Sequence, residues 1–207
     1  GSNSNDGSID NPFLSIQFAY DRADEQDTIL VHPGVYYDDI WFYGKNVVLG
    51  SLFLTTGDTS FLSSTIIDGD STDCTIAIYG NIDSTCRITG FTIQNGIGCV
   101  YGQGAGIYVE SASPRLDNLI IKNNISGTNG GGICLNGNSN SLIDKVLIKN
   151  NSADVGGGLY SFNSNPVITN SNIQNNHANN GAGVFLELCS PNFENVSITG
   201  NDAILSG

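Results

Sequence analysis

The sequence predicts an all-β solenoid: a parallel β-helix with one coil per repeat and three short strands per coil. Three observations carry this. The phrase GAGIYV at Gly104 returns as GGGICL at Gly130, GGGLYS at Gly156 and GAGVFL at Gly181, every 25 or 26 residues. Between these glycines four columns align: Ile107, Ile133, Leu159, Val184; Leu116, Ile143, Ile168, Phe193; Leu119, Val146, Ser171, Val196; and Ile121, Ile148, Ile173, Ile198. The composition is rich in Gly, Asn and Ser, lacks Met and has few charges, which suits strands and turns rather than helices.

The repeat has a physical meaning. Alternation within each segment sends Leu119 and Ile121 one way and Ile120 the other. A unit of this length cannot bury an apolar face alone, but stacked units share a continuous core. Adjacent coils would then lie about 4.8 Å apart, the strand spacing of a sheet. A fifth column, Asn124, Asn151, Asn176 and Asn201, falls at the turns. Asparagine tolerates left-handed backbone, and stacked asparagines can bond along a ladder. A leucine-rich repeat has a similar period, but its Leu-x-x-Leu-x-Leu signature and helical return are missing.

The whole chain, residues 1–207, reads as one domain. Asn11–Ala23 carries Phe13, Ile16, Ala19, Tyr20 and Ala23 at helical spacing after an Asn-Pro start signal. A helix over 11–24 is expected to cover the first coil, since a solenoid must protect its end. Residues 28–103 read as irregular strand-forming coils, with DTILVHPGVYYDDIWFYGKNVVLGSLFL as strand sequence, and 104–207 as regular coils. No capping sequence precedes Gly207, so the natural protein is expected to continue. The last coil is then expected to offer an open edge for self-association, with an end-to-end extracellular filament as one architecture this would build.

Charge narrows the partners. Asp+Glu number 20 against Lys+Arg 7, a net charge of −13. Nucleic acid and anionic membrane surfaces are disfavoured, because both need a basic footprint. No apolar run reaches the roughly 18 residues of a spanning helix, so no membrane insertion is expected. The five cysteines, Cys74, Cys86, Cys99, Cys134 and Cys189, show no CxxC or Cys/His metal spacing. The odd count fits structural thiols, and disulfide connectivity is left open.

The run DGSIDNPFLSIQFA, then DTILVHPGVYYDDIWFYGKNVVLGS, then IIDGD and the GGGI coils resembles the pectin-lyase-like right-handed β-helix superfamily. It is most similar to secreted bacterial surface proteins with a right-handed β-helix region. The resemblance spans nearly the whole chain. It implies a right-handed coil and a secreted or cell-surface location. The superfamily holds lyases, hydrolases, esterases, tailspikes and adhesins, so activity must be argued from a site.

In that superfamily the first parallel sheet usually lines a sugar-binding groove. Here the outward positions after the first column are Tyr108, Cys134, Tyr160 and Phe185, with Tyr79 one coil earlier. Tyr79, Tyr108, Tyr160 and Phe185 are therefore candidates to stack on a polysaccharide or other surface glycan. Aromatic residues also suit strands and stack on one another, and that reading stands beside the first. Asp68, Asp70 and Asp73 in IIDGDSTD, with Asp38 and Asp39, are candidate Ca²⁺ ligands, although IDG also reads as a turn and no cofactor is required. Asp117, Asp144 and Glu194 form an outward acidic row, broken by Thr169, that Lys122, Lys145 and Lys149 could neutralise at the surface.

No catalytic residue is assigned. His32 and His177 lie at turns without a nucleophile nearby in sequence. The polygalacturonase motifs Asn-Thr-Asp, Gly-His-Gly and Arg-Ile-Lys are absent, leaving an isolated Asp38-Asp39. Arg87 and Arg115 have no carboxylate cluster evident in their own coils. The expected role is a structural, adhesive or assembly module. The alternative is the N-terminal part of a polysaccharide lyase or glycoside hydrolase. The N-x-S triplets at Asn124, Asn150 and Asn195 arise from the asparagine-rich turns.

Overall fold

The computed structural model describes residues 1–207, with Val100 described by its backbone alone. Parallel strands wind into a solenoid. One face is a sheet of Ile40–Tyr43, Ile76–Tyr79, Ile107–Glu110, Ile133–Asn136, Leu159–Phe162 and Val184–Glu187. A second, twelve-stranded sheet bends along its length, so that a strand such as Arg115–Lys122 serves two faces. A third sheet, Ser152–Val155, His177–Asn180 and Asp202–Ser206, closes the last coils.

The four apolar columns are the observed registers. Ile107 pairs with Ile133, Ile133 with Leu159, and Leu159 with Val184. Leu116, Ile143, Ile168 and Phe193 follow one another, as do Ile121, Ile148, Ile173 and Ile198. Their side chains fill the solenoid, fully buried until the last coil. From Gly90 onward the bend comes from a left-handed residue in each coil: Gly90, Asn118, Lys145, Asn170 and Asn195 all have positive φ. In the third column Ser171 replaces an aliphatic side chain, and its hydroxyl accepts the Val146 N–H at 3.0 Å.

The glycine motif divides its work. The first glycine, at 104, 130, 156 and 181, has φ between 56° and 69°, which L side chains disfavour. The third, at 106, 132, 158 and 183, lies where neighbouring coils pack closely. A Cβ on Gly132 would meet the Gly158 carbonyl oxygen at 2.5 Å. The second position carries alanine in two coils, as Ala105 and Ala182, but at Gly157 a Cβ would run into the His177 carbonyl oxygen.

Two elements differ from expectation. The capping helix is Ile16–Arg22, shorter than the 11–24 predicted. The Ser15 hydroxyl accepts the Phe18 N–H, and the Asp38 carboxylate accepts the Ile16 N–H at 2.6 Å. These two acceptors fix the start beyond the Asn-Pro signal. The helix still covers the first coil: Ile16 and Tyr20 are buried, and the Tyr20 ring lies 4.6 Å from that of Phe42. Leu52 onward, expected as strand, instead leaves the coil through two short helices, Phe53–Thr56 and Ser60–Ser64. A left-handed Gly57 ends the first of them. At the other end Val184, Phe193 and Val196 are half-buried, while Ile198 is 49% exposed. Among the described residues no helix is long and apolar enough to cross a membrane.

Candidate functional site

The outward face of the first sheet carries two columns. Register defines the first as Trp41, Ala77, Tyr108, Cys134, Tyr160 and Phe185. The second is Tyr43, Tyr79, Glu110, Asn136, Phe162 and Glu187. Tyr79 thus does not continue the row of Tyr108 and Tyr160, as counting back along the chain suggested. It stands two residues further along its strand.

The aromatic side chains form two stacks rather than one row. Tyr43 and Tyr79 lie 5.2 Å apart and nearly parallel, and Trp41 stacks on both. Tyr79 leans on Tyr108 at 5.6 Å and 51°. Tyr160 and Phe185 are parallel at 5.8 Å. The buried Cys134 separates the groups. Tyr108 is 2% exposed and Tyr160 7%, so neither presents a free face to solvent. Tyr79 packs on the first and Phe185 on the second. Burial, reinforced by Glu187, pushes the Tyr160 hydroxyl up to about 12.

Beside this wall lies a cleft of about 390 Å³ lined by Gln103, Glu110, Asn129, Asn136, Gly137, Tyr160 and Phe162. Its polar groups are held in place. Asn136 Nδ2 donates to Gln103 Oε1 at 2.8 Å and to the Tyr108 hydroxyl at 3.3 Å. That hydroxyl donates to Glu110 Oε2 at 3.1 Å, and the Tyr160 hydroxyl donates to Glu187 Oε2 at 3.4 Å. Carboxylate and amide oxygens and an amide donor thus surround apolar ring edges. This arrangement suits a ligand bearing many hydroxyl groups on a partly apolar frame. Sequence reasoning missed Glu110, Asn136, Phe162 and Gln103. The first three follow a column once its phase is known, whereas Gln103 arrives on an irregular loop.

The acidic candidates divide. Asp68 is spent on internal bonds: its Oδ2 accepts Gln94 Nε2 and Asn95 Nδ2, and its Oδ1 accepts the Asp70 N–H. Asp73 Oδ1 accepts the Cys74 N–H at 2.8 Å. Among the described residues, the three-ligand cluster that forms contains Asp73 but neither Asp68 nor Asp70. Asp39 Oδ2 accepts the Thr72 hydroxyl, while its Oδ1 is buried without a partner. Burial, with Asp73, Asp38 and Asp70 nearby, holds the Asp39 carboxyl above the usual carboxylate range.

Asp117 is not solvated surface, as its place in an outward acidic row suggested. It is fully buried. Arg87 grips both of its oxygens at 2.6 and 2.7 Å, and Arg115 Nε adds a bond at 2.9 Å. Thr89 and Asn118 donate the rest. The pairing is with Arg87 of the preceding coil and Arg115 of the same strand, not with the lysines. Burial alone would raise this carboxyl, but the Arg87 guanidinium and the other donors hold it below the ordinary range. A carboxylate so occupied has no lone pair left for a substrate proton. His177 Nδ1 lies 3.4 Å from Asp202 Oδ2 at the exposed third face.

Two crystal structures of the pectin methylesterase from Aspergillus niger, in deglycosylated and penultimately deglycosylated forms, superpose with TM-scores of 0.47 and 0.48. Their sequence identities are 14% and 15%, over 94% of this chain and 85% of theirs. No curated protein sequence matches. A family model described as the right handed beta helix region matches residues 50–206. By that match, and by the coils it spans, the chain belongs to the right-handed β-helix family.

Proposed function

We propose that this chain is a non-catalytic, glycan-contacting module of a secreted or cell-surface protein, with a structural or adhesive role. The ligand site is the cleft on the outward face of the first sheet. The observation that carries the reading is the fixed set Gln103, Glu110 and Asn136 beside Phe162 and Tyr160. Tyr108 and Tyr160 serve as floor and support. Phe162, Tyr43 and Tyr79 offer the more open aromatic surface.

Charge selects the glycan class. The chain carries −13 overall, and Glu110 and Glu187 share this face. Like charges repel a polyuronate, so the preferred ligand is a neutral, hydroxyl-rich polysaccharide. Binding of neutral and acidic polysaccharides by affinity electrophoresis, with the double variant Glu110→Gln/Phe162→Ala beside the wild type, tests this. Retardation by a neutral glycan that the double variant loses is the expected result. Equal retardation of both proteins, or none by any glycan, sinks the reading. Release of unsaturated or reducing sugars from pectin, polygalacturonate or alginate would replace it with the enzymatic alternative.

A further inference from the structure

We propose that Asp73, Cys74 and Cys99 form a binding site for a divalent transition-metal cation of the zinc type. The two Sγ atoms and a carboxylate oxygen lie within 4.8 Å of one another, and small side-chain rotations would bring them to the about 3.3–3.8 Å that separates donors around one tetrahedral ion. Local structure brings them together from different coils. The Ile97 N–H donates to the Asp73 carbonyl at 2.9 Å, and the Thr75 N–H to the Ala105 carbonyl at 3.0 Å. The segment carrying Cys99 is a tight loop: Cys99 N–H donates to Gln103 O, and Gly102 N–H to Cys99 O. A Cβ on Gly98 would meet the Gly102 carbonyl oxygen at 2.5 Å, so the loop folds closely on itself just before Cys99.

The surroundings call for a cation. Cys74 is fully buried against the aromatic wall, with Tyr79, Tyr108 and Trp41 in the same cluster. Asp39 and Asp70 add negative charge beside Asp73, and Asp39 Oδ1 is buried without a partner. A cation at the thiols would relieve this concentration of carboxylates. Donor type chooses the ion. Two thiolates and one carboxylate suit Zn²⁺ or Co²⁺ and not Ca²⁺ or Mg²⁺, which take oxygen ligands. Both thiols give up their protons on binding, so each ion bound releases two protons and leaves one coordination position for a further ligand.

The test is titration of the intact, reduced chain with Co²⁺ and then Zn²⁺, with Ca²⁺ as the oxygen-seeking control. Sulfur-to-cobalt charge-transfer bands should appear, be erased by one equivalent of Zn²⁺, and be ignored by Ca²⁺. Two protons should be released per ion in weakly buffered solution. Cys99→Ser, at a half-buried position that leaves the core intact, should abolish the bands. It should weaken Zn²⁺ binding by more than the about 10–100-fold that even an outer-shell partner is worth. Cys86→Ser, at a fully buried thiol elsewhere, should change neither. Absence of the bands in folded wild-type chain overturns the proposal. So does their persistence in Cys99→Ser. A stoichiometric Cys74–Cys99 disulfide in chain purified without reductant overturns it as well, because the pair is then a cross-link.

Discussion

Asn151 donates to Asn176 twice: its side-chain Nδ2 reaches Asn176 Oδ1 at 3.0 Å, and its backbone N–H reaches the same oxygen at 2.9 Å. Asn124 treats Asn151 in the same way, and Asn176 treats Asn201 so. The second Nδ2 proton of each goes to a carbonyl of the preceding coil, as from Asn151 to Ile121 O at 3.0 Å. The result is a fully satisfied polar ladder inside the solenoid. Replacing Asn151 by Ala leaves two donors of Asn124 and the Ile121 carbonyl unmet in a buried place. Each such group costs about 1–3 kcal/mol, so a loss of about 3 kcal/mol or more is expected. Its neighbour Asn150 is exposed and left-handed, at φ 56°. Asn150→Gly should change stability by less than about 0.5 kcal/mol. Urea denaturation of the two variants measures the difference, and equal midpoints refute the ladder's role.

Ile148 and Lys149 are adjacent but face opposite ways. Ile148 is 1% exposed, between Ile121 and Ile173. Ile148→Asp places an unpaired carboxylate in the core and should cost about 4 kcal/mol or more. Lys149→Ala should stay within about 0.5 kcal/mol. Matching melting temperatures would contradict the strand register.

Gly132→Ala should destabilise by about 2 kcal/mol or more, because its Cβ would sit 2.5 Å from Gly158 O and 2.7 Å from the Ile148 Cγ2. Ala182→Gly, at a second position that already carries alanine, removes one buried methyl and should cost about 1 kcal/mol. Thermal melts order the two. A milder effect at Gly132 would mean that the coils are spaced more widely than they appear.

Asp117 makes stability depend on acid. Its folded pKa lies below the unfolded value of about 3.9. Its contribution is therefore complete above that value and is lost as pH falls through the lowered one. Asp117→Asn leaves Arg87 and Arg115 without their carboxylate and should cost about 3 kcal/mol at neutral pH. The gap between variant and wild type should close as pH falls from about 5 towards 2. Denaturant midpoints across that range check it, and a gap independent of pH would show that the ion pairs add nothing.

The regular coils were legible because their information is periodic. Gly130, Ile133, Ile143, Ile148 and Asn151 each recur at one coil length, and the structure stacks each on its counterpart. Counting failed where the coil length changes. The coil from Ile76 to Ile107 is longer than its successors because of the Cys99 loop. That shifts the apparent phase of Tyr79 and hides the column that holds Glu110 and Asn136. The helices at Phe53–Thr56 and Ser60–Ser64 lengthen another coil in the same way. Arg87 and Asp117 meet across 30 residues of chain. Only the register, and no local spacing, brings them together.

The asparagine ladder also bears on how such a chain can change over generations. Each inner asparagine gives to the asparagine of the next coil, takes from that of the coil before, and gives once to a carbonyl behind it, so the contacts it needs are the same wherever it stands. A whole coil can be lost or duplicated without stranding a partner. Excision of 130–155 would join Asn129 to Gly156 and hand the donors of Asn124 to Asn176, with Ile121 set over Ile173. Such a deletion should fold with an unchanged far-ultraviolet spectrum per residue, whereas removing half a coil should not. Copy number is then a free variable for selection, and the length of the rod can drift while the rules for building each turn stay fixed.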